Sequence, residues 1–133
     1  MKPYLKEFEK LVDIMTKLRS ENGCQWDKKQ TYNSLIKYLF SECQELKSAV
    51  RKKDIENMEE ELGDVLLQII FYSQIAKERK EFDIKGVIKN LNAKLIRRHP
   101  HIFGNYKVKN TKDIVKMWNE IKKKEKADKL KNK

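Results

Sequence analysis

The spacing of apolar residues is the feature that most limits how this chain can fold. Apolar side chains recur at intervals of three and four residues, which places them on one face of an α-helix. In the first segment they are Leu5, Phe8, Leu11, Val12, Met15 and Leu18. The two-residue alternation of a half-buried strand is nowhere sustained, and four Gly and two Pro offer few turns. We therefore expect an all-α fold, a bundle of four to five helices.

Four further helices are predicted from the same spacing and from capping residues. They run from Tyr32 to Arg51, from Asp54 to about Arg79, from Asp83 to Pro100, and from Asn110 onward. Asp27 with Gln30 could cap the second helix as a capping box, and Thr31 or Asn33 are alternatives. The segments CQWDKKQ and HPHIFGNYKVKN are predicted loops. The inward side chains of the second helix are expected to be Leu35, Leu39, Leu46 and Val50.

The third of these helices should be the central and most buried element. Its middle, VLLQIIFYSQIA, is apolar nearly all round. With no repeat and no linker, residues 1–124 are predicted to form a single domain. Residues 125–133 are rich in lysine and lack an apolar face, which predicts a frayed tail.

The balance of charge indicates an affinity for anions. Lys and Arg number 31 against 20 Asp and Glu, a net charge of +11. Nucleic acid, acidic membrane and phosphorylated metabolites all fit such a charge. The lysine tail lacks the interleaved aromatics of a single-strand binding platform, so nucleic acid is disfavoured. The absence of an apolar signal or membrane-spanning run, with two cysteines outside any CxxC pair, predicts a reduced, cytoplasmic protein without membrane contact.

Two pairs of acids interrupt the most apolar segments. SECQE carries Glu42 and Glu45, and EELGD carries Glu61 and Asp64, each pair three residues apart and so on one helix face. They could be ordinary surface acids paired with Lys or Arg. However, no Lys or Arg lies between Asp54 and Lys77, and buried carboxylates are costly unless paired or metal-bound. Carboxylate oxygens favour Mg²⁺ or Mn²⁺, which suits metal-assisted hydrolysis of a phosphorylated substrate.

Gly63 lies between the second pair of acids, inside a predicted helix. Glycine there costs about 1 kcal/mol relative to alanine. Either its bare backbone lets another helix or a ligand approach closely, or the glycine is merely tolerated.

Taken together, these motifs resemble the MazG nucleoside triphosphate pyrophosphohydrolases of the all-α NTP pyrophosphatase superfamily. The matching blocks occur in family order from about Leu11 to Lys126: LVDIMTKLRSENGCQWDKKQT, ECQE, EELGDVLLQIIFYSQIA, KLIRRHPHIFGN and WNEIKKKEK. The resemblance implies a MazG-like all-α bundle. It also implies that Glu42, Glu45, Glu61 and Asp64 bind Mg²⁺, with Mn²⁺ a possible substitute, and form the catalytic group. Two positions depart from the family pattern: Ser41 replaces the first Glu of EExxE, and Gln25 replaces the proline of CPWD.

Basic and aromatic residues outside the two acidic motifs are candidates for binding the nucleotide. Lys94, Arg97 and Arg98 either clamp phosphate or neutralise the end of their helix. The resemblance favours phosphate binding for Lys94 and Arg98, leaves Arg97 open, and implies that Trp118 and Lys122 lie close to the nucleotide. Trp26 either stacks on the base or seals the core. His99 and His101 are expected to stabilise a turn.

The activity implied by the resemblance is Mg²⁺-dependent hydrolysis of an NTP or dNTP between the α and β phosphates, giving NMP and pyrophosphate. A metal-activated water would attack, with a carboxylate assisting as base, in the service of nucleotide-pool housecleaning. Such proteins assemble as homodimers or homotetramers. Two alternatives stay open: a non-catalytic basic helical module that binds RNA or a protein partner, and an inactive nucleotide sensor of the same fold, which Ser41 would favour.

Overall fold

Residues 1–132, described by a computed structural model, form seven α-helices and no β-strand. The all-α prediction is therefore confirmed. The helices are α1 (Pro3–Leu18), α2 (Gln25–Lys29), α3 (Ile36–Arg51), α4 (Ile55–Glu78), α5 (Ile84–Arg98), α6 (Pro100–Phe103) and α7 (Thr111–Lys131). Within this part of the chain, no helix is both long and apolar enough to cross a membrane.

The two predicted loops each contain a short helix, and this changes how the second predicted helix begins. Asp27 lies inside α2 and caps nothing in α3, so the predicted capping box is wrong. Helix α3 begins at Ile36, later than predicted, because Thr31 and Ser34 close a turn before it. The Thr31 N–H donates to Ser34 Oγ at 2.8 Å, and the Ser34 N–H donates to Thr31 Oγ1 at 3.1 Å.

Three predicted starts of helices agree with the hydrogen bonds that cap them. The Asn57 N–H donates to Asp54 Oδ1 at 3.2 Å, and the Gly86 N–H donates to Asp83 Oδ1 at 2.9 Å. Asn110 caps α7 by accepting from the Asp113 N–H at 3.0 Å. These short polar side chains satisfy N–H groups that the first turn of a helix leaves unpaired.

The chain divides into two compact units, the first being Met1–Gly86. Its core consists of five buried apolar side chains: Met15, Leu35, Ile70, Phe71 and Ile75. Helix α4 packs mainly on α3 and also on α1, and it has more buried residues than any other helix. One of its sides nevertheless stays open. The expectation for Val50 was wrong: it is 52% exposed, whereas neighbouring Ala49 is completely buried.

The second unit starts at Val87. Within it Met117 is completely buried, and the indole N–H of Trp118 donates to the Arg98 carbonyl at 2.8 Å. Helix α7 continues to Lys131, seven residues beyond the predicted onset of fraying. The last residue of the predicted tail, Lys133, lies outside the described residues. The division into a domain of residues 1–124 and a tail stays a prediction.

Candidate metal centre

The hairpin of α3 and α4 brings acids from two separate motifs together. Three residues join the helices, and the turn closes because Lys53 adopts a left-handed backbone with φ of 56°. The Asp54 N–H then donates to the Ala49 carbonyl at 3.1 Å, as in a Schellman-type helix end. With so short a connection the two helices run antiparallel, and they pack against each other.

Three carboxylates meet on the inner faces of this hairpin. One carboxylate oxygen each of Glu42, Glu61 and Asp64 lies within 4.8 Å of the other two. Glu61 is buried, with 9% of its surface exposed, and the other two are half-buried. The hairpin thus joins the two halves of the predicted metal site.

The electrostatics of the group favour a cation between the carboxylates. Burial raises the pKa of Glu61, and the charges of Asp64, Glu45 and Glu42 raise it further. Burial likewise raises the pKa of Glu42, followed by the charges of Asp64 and Glu45. None of the ion pairs within residues 1–132 includes these acids. Three unpaired carboxylates with hard oxygen donors suit a divalent cation such as Mg²⁺ or Mn²⁺.

Glu45, the fourth predicted ligand, lies outside this group of three atoms. It is exposed on α3. Its negative charge nevertheless raises the pKa of both Glu42 and Glu61, so its carboxylate lies close enough to interact with them electrostatically. Such an electrostatic effect fits a carboxylate that could turn toward a bound cation.

The positions that depart from the family pattern do not disturb the three acids. Ser41 is exposed and lies outside the carboxylate group. Gln25 is the first residue of α2, where a proline would also fit because the N–H there needs no partner within the helix. A Cβ built on Gly63 would meet nothing within 4 Å, so no part of residues 1–132 uses its bare backbone.

The second unit brings two of the predicted basic residues together around an acid that was not predicted to take part. Arg97 Nε donates to Glu125 Oε2 at 2.5 Å, and Arg98 Nη2 donates to Glu125 Oε1 at 2.9 Å. Glu125 was assigned to the tail, where it is one of two acids, with Asp128, in the lysine-rich run KKKEKADK. Lys94 and Lys122 are exposed.

The aromatic candidates have different surroundings. Within its own unit, the half-buried Trp118 is held by its bond to the Arg98 carbonyl and packs edge-on against His99 at 5.6 Å between ring centres. Nδ1 of His99 donates to the Leu95 carbonyl at 2.6 Å, the turn-stabilising role predicted for it. Trp26 is 49% exposed, and its ring meets those of Tyr38 at 5.5 Å and Phe71 at 6.4 Å. Trp26 therefore seals the core on one side and leaves the other side open.

Comparison with known families gives a match over more than half of the chain. Residues 30–103 match the family model described as the MazG nucleotide pyrophosphohydrolase domain. These residues include all four predicted acids of the metal site and the basic residues at the end of α5.

Individual relatives agree with this match. The nucleoside triphosphate pyrophosphohydrolase/pyrophosphatase MazG of Thermotoga maritima is 54% identical over 92% of this chain and 46% of its own length. The nucleoside triphosphate pyrophosphohydrolase of Escherichia coli K12 is 37% identical over 94% of this chain and 48% of its own. The chain thus spans about half the length of these curated relatives. A crystal structure of a mazG-related protein from Thermotoga maritima superposes with a TM-score of 0.72 at 32% identity, over 86% of this chain and 98% of that one.

Proposed function

The chain belongs to the MazG nucleotide pyrophosphohydrolase family, and from this premise we propose that it hydrolyses nucleoside triphosphates. The reaction adds water across the bond between the α and β phosphates and yields NMP and pyrophosphate. Its substrates are NTPs or dNTPs, and its role is to remove unwanted nucleotides from the pool. The two curated relatives above carry names that describe a nucleoside triphosphate pyrophosphohydrolase.

The observation that carries this proposal is the unpaired carboxylate group of the α3–α4 hairpin. Glu42, Glu61 and Asp64 would hold the cation, and Glu45 would join them. A divalent cation bound there would neutralise phosphate charge, polarise phosphoryl oxygens and lower the pKa of a coordinating water. Mg²⁺ is the proposed ion, with Mn²⁺ as a substitute.

The protein's own groups have two further tasks at this site. Carboxylate oxygens that do not face the cation can orient the attacking water and accept its proton. Only 9% of the Glu61 surface is exposed, which restricts the positions open to its carboxylate and so reduces the ordering needed when substrate binds.

Lys94, Arg98 and Lys122 are the proposed phosphate ligands, and Arg97 is a further candidate. Arginine offers several N–H groups in a fixed fork. Glu125 takes one N–H group of each fork, the Nε of Arg97 and the Nη2 of Arg98, and the Nε of Arg98 is enclosed without a partner within residues 1–132. Glu125 would thus orient both guanidinium groups while leaving donors for phosphate. Trp118 lies on the same cluster, and the open side of Trp26 is the proposed stacking surface for the base.

The test is product analysis across a panel of NTPs and dNTPs with Mg²⁺. We expect NMP and pyrophosphate in equal amounts, and no turnover in the presence of a chelator. Orthophosphate with NDP would place the cut at a different bond. No product from any nucleotide would exclude the enzyme, and salt-sensitive RNA binding without hydrolysis would then favour the basic module.

A matched pair of variants on α4 tests the metal site. Glu61→Gln removes a buried ligand charge at nearly constant shape, so turnover should fall by at least about a hundredfold. Glu59→Gln makes the same change at an exposed acid two residues away and should leave turnover unchanged. Circular dichroism should show both variants as helical as the unsubstituted chain. Full activity of the Glu61 variant would remove Glu61 from the metal site.

Two further features belong to the proposal. The chain would assemble as a homodimer or homotetramer, which is supported by the apolar side of α4 that the first unit leaves open. A cytoplasmic location is supported by Cys24 and Cys43, both free and exposed, since unpaired thiols persist in reducing compartments.

A further inference from the structure

Gln68 on α4 is a buried polar side chain without a hydrogen-bond partner. Only 6% of its surface is exposed, and its Oε1 is fully enclosed with no donor within residues 1–132. A buried polar atom without a partner is costly, and natural proteins contain few of them. Packing alone would be served better by an apolar residue, as at the neighbouring Leu67. We therefore expect the Gln68 carboxamide to hydrogen-bond a group that is not part of residues 1–132.

The position of Gln68 indicates where this partner would come from. It lies seven residues after Glu61 and four after Asp64, so the three side chains share one face of the helix. Three residues further along α4 is Phe71, whose ring contacts that of Trp26. At about 1.5 Å of rise per residue, Gln68 lies about 6 Å beyond Asp64 and about 4.5 Å before Phe71 along the helix axis.

Gln68 thus stands between the carboxylates that would hold a phosphate-bound cation and the aromatic ring that would stack on a base. The group between phosphate and base in a nucleotide is the sugar. Its hydroxyls both donate and accept hydrogen bonds, and a carboxamide offers one acceptor and one donor group. An ionised phosphate only accepts, so it would leave Oε1 unpaired.

We propose that the Gln68 carboxamide hydrogen-bonds a sugar hydroxyl of the bound nucleotide and sets which sugars the site accepts. This inference rests on the proposed function. A nucleotide that lacks the hydroxyl would leave the carboxamide buried and unpaired. Sites built in this way discriminate strongly against an analogue that lacks the group.

The experiment measures binding of non-hydrolysable α,β-methylene triphosphates by calorimetry with Mg²⁺ present. Three probes share the base that the unsubstituted chain hydrolyses fastest: the ribonucleoside form, the 2′-deoxy form and the 3′-deoxy form. One of the two deoxy probes should bind roughly 10- to 100-fold more weakly than the form that retains that hydroxyl. Gln68→Met keeps the length of the side chain but removes the carboxamide. Its affinities for the three probes should therefore agree within about threefold.

Gln74→Met is the matched control on the same helix. Both ends of the Gln74 carboxamide already have partners, since it accepts from Thr16 Oγ1 at 3.4 Å and donates to Glu78 Oε2 at 3.2 Å. This variant should retain the sugar discrimination of the unsubstituted chain.

Three results would overturn the inference. The first is equal affinity of the unsubstituted chain for all three probes, a result that does not depend on whether any variant folds. The second is an equal loss for every probe in Gln68→Met, which would assign Gln68 to the cation or to the fold. The third is an altered oligomer mass in that variant with sugar discrimination intact, which would assign the carboxamide to a partner copy. In all three, release of pyrophosphate by the unsubstituted chain would keep the proposed function standing, whereas no pyrophosphate from any nucleotide would end both.

Discussion

At the scale of single residues, one acid organises the basic cluster of the second unit. Glu125 accepts from Arg97 and Arg98, and these hydrogen bonds, in that order, lower the pKa of its carboxyl to about 2. Burial acts in the opposite direction and is outweighed. The carboxylate is largely covered, whereas Arg97 is half-exposed, so the ion pair is partly screened by water.

The depressed pKa of Glu125 predicts how stability depends on pH. A carboxyl whose pKa is lower in the folded than in the unfolded chain stabilises the fold above its unfolded pKa, near 4.5. That contribution is lost as the pH falls toward 2. We expect Glu125→Gln to lower the free energy of unfolding by about 1 kcal/mol at pH 7, with the difference vanishing near pH 2.

Urea unfolding of both chains at several pH values between 7 and 2 measures this difference. Glu120→Gln, at an exposed acid of the same helix, is the control and should track the unsubstituted chain. A constant difference at all pH values would contradict an electrostatic role for Glu125.

At the scale of elements, α4 buries polar side chains and exposes apolar ones. Its face toward α3 carries the buried polar residues Glu61 and Gln68, while the apolar Leu62, Leu66 and Ile69 are at least 38% exposed. The all-round apolar composition of this helix correctly predicts its central place. Composition does not distinguish the side that packs within the unit from the side left open.

Gly63 provides a prediction at this scale. It lies in the exposed interior of α4 with nothing within 4 Å of a built Cβ. Gly63→Ala should therefore raise the free energy of unfolding by about 1 kcal/mol. Gly23→Ala should lower it, because the added Cβ would lie 2.2 Å from the Leu18 carbonyl oxygen.

Chemical denaturation compares the two alanine variants, and pyrophosphate release reports their activity. A Gly63 variant that gains stability and keeps its activity identifies a tolerated glycine. Greater stability with lost activity would instead show that a ligand or a partner copy approaches the bare backbone, the other interpretation of the sequence. A loss of stability would contradict the helix-propensity argument.

At the scale of the whole molecule, the open apolar side of α4 predicts self-association. We expect light scattering after gel filtration to give at least twice the chain mass of 16.0 kDa. The double change Leu62→Lys and Leu66→Lys should shift the protein toward the monomer, because charge cannot be buried cheaply at an interface. Glu59→Lys is the control for added charge on the same helix. A monomer of the unsubstituted chain at micromolar concentration would contradict the prediction.

Local patterns in the sequence correctly predict the helical class and the starts of α4, α5 and α7, and they predict which acids share a helix face within each motif. These features depend on residues three or four positions apart, which share a helix face, and the spacing in the sequence shows such residues directly. For the same reason the ExxE and ExxD motifs predict their acids as metal ligands without reference to the fold. The resemblance to the MazG family, carried by blocks in the same order, then implies that these acids serve nucleotide hydrolysis.

Which of these residues contact one another depends on how the helices pack. Glu42 faces Glu61 and Asp64 across the hairpin, whereas Glu45 stays outside their group, and Glu125 pairs with arginines 27 and 28 residues away. The packing also buries Gln68 without a hydrogen-bond partner for its Oε1, while Leu66 stays exposed. Such facts depend on the packing of one helix against another, and that packing is set by contacts that no local pattern contains.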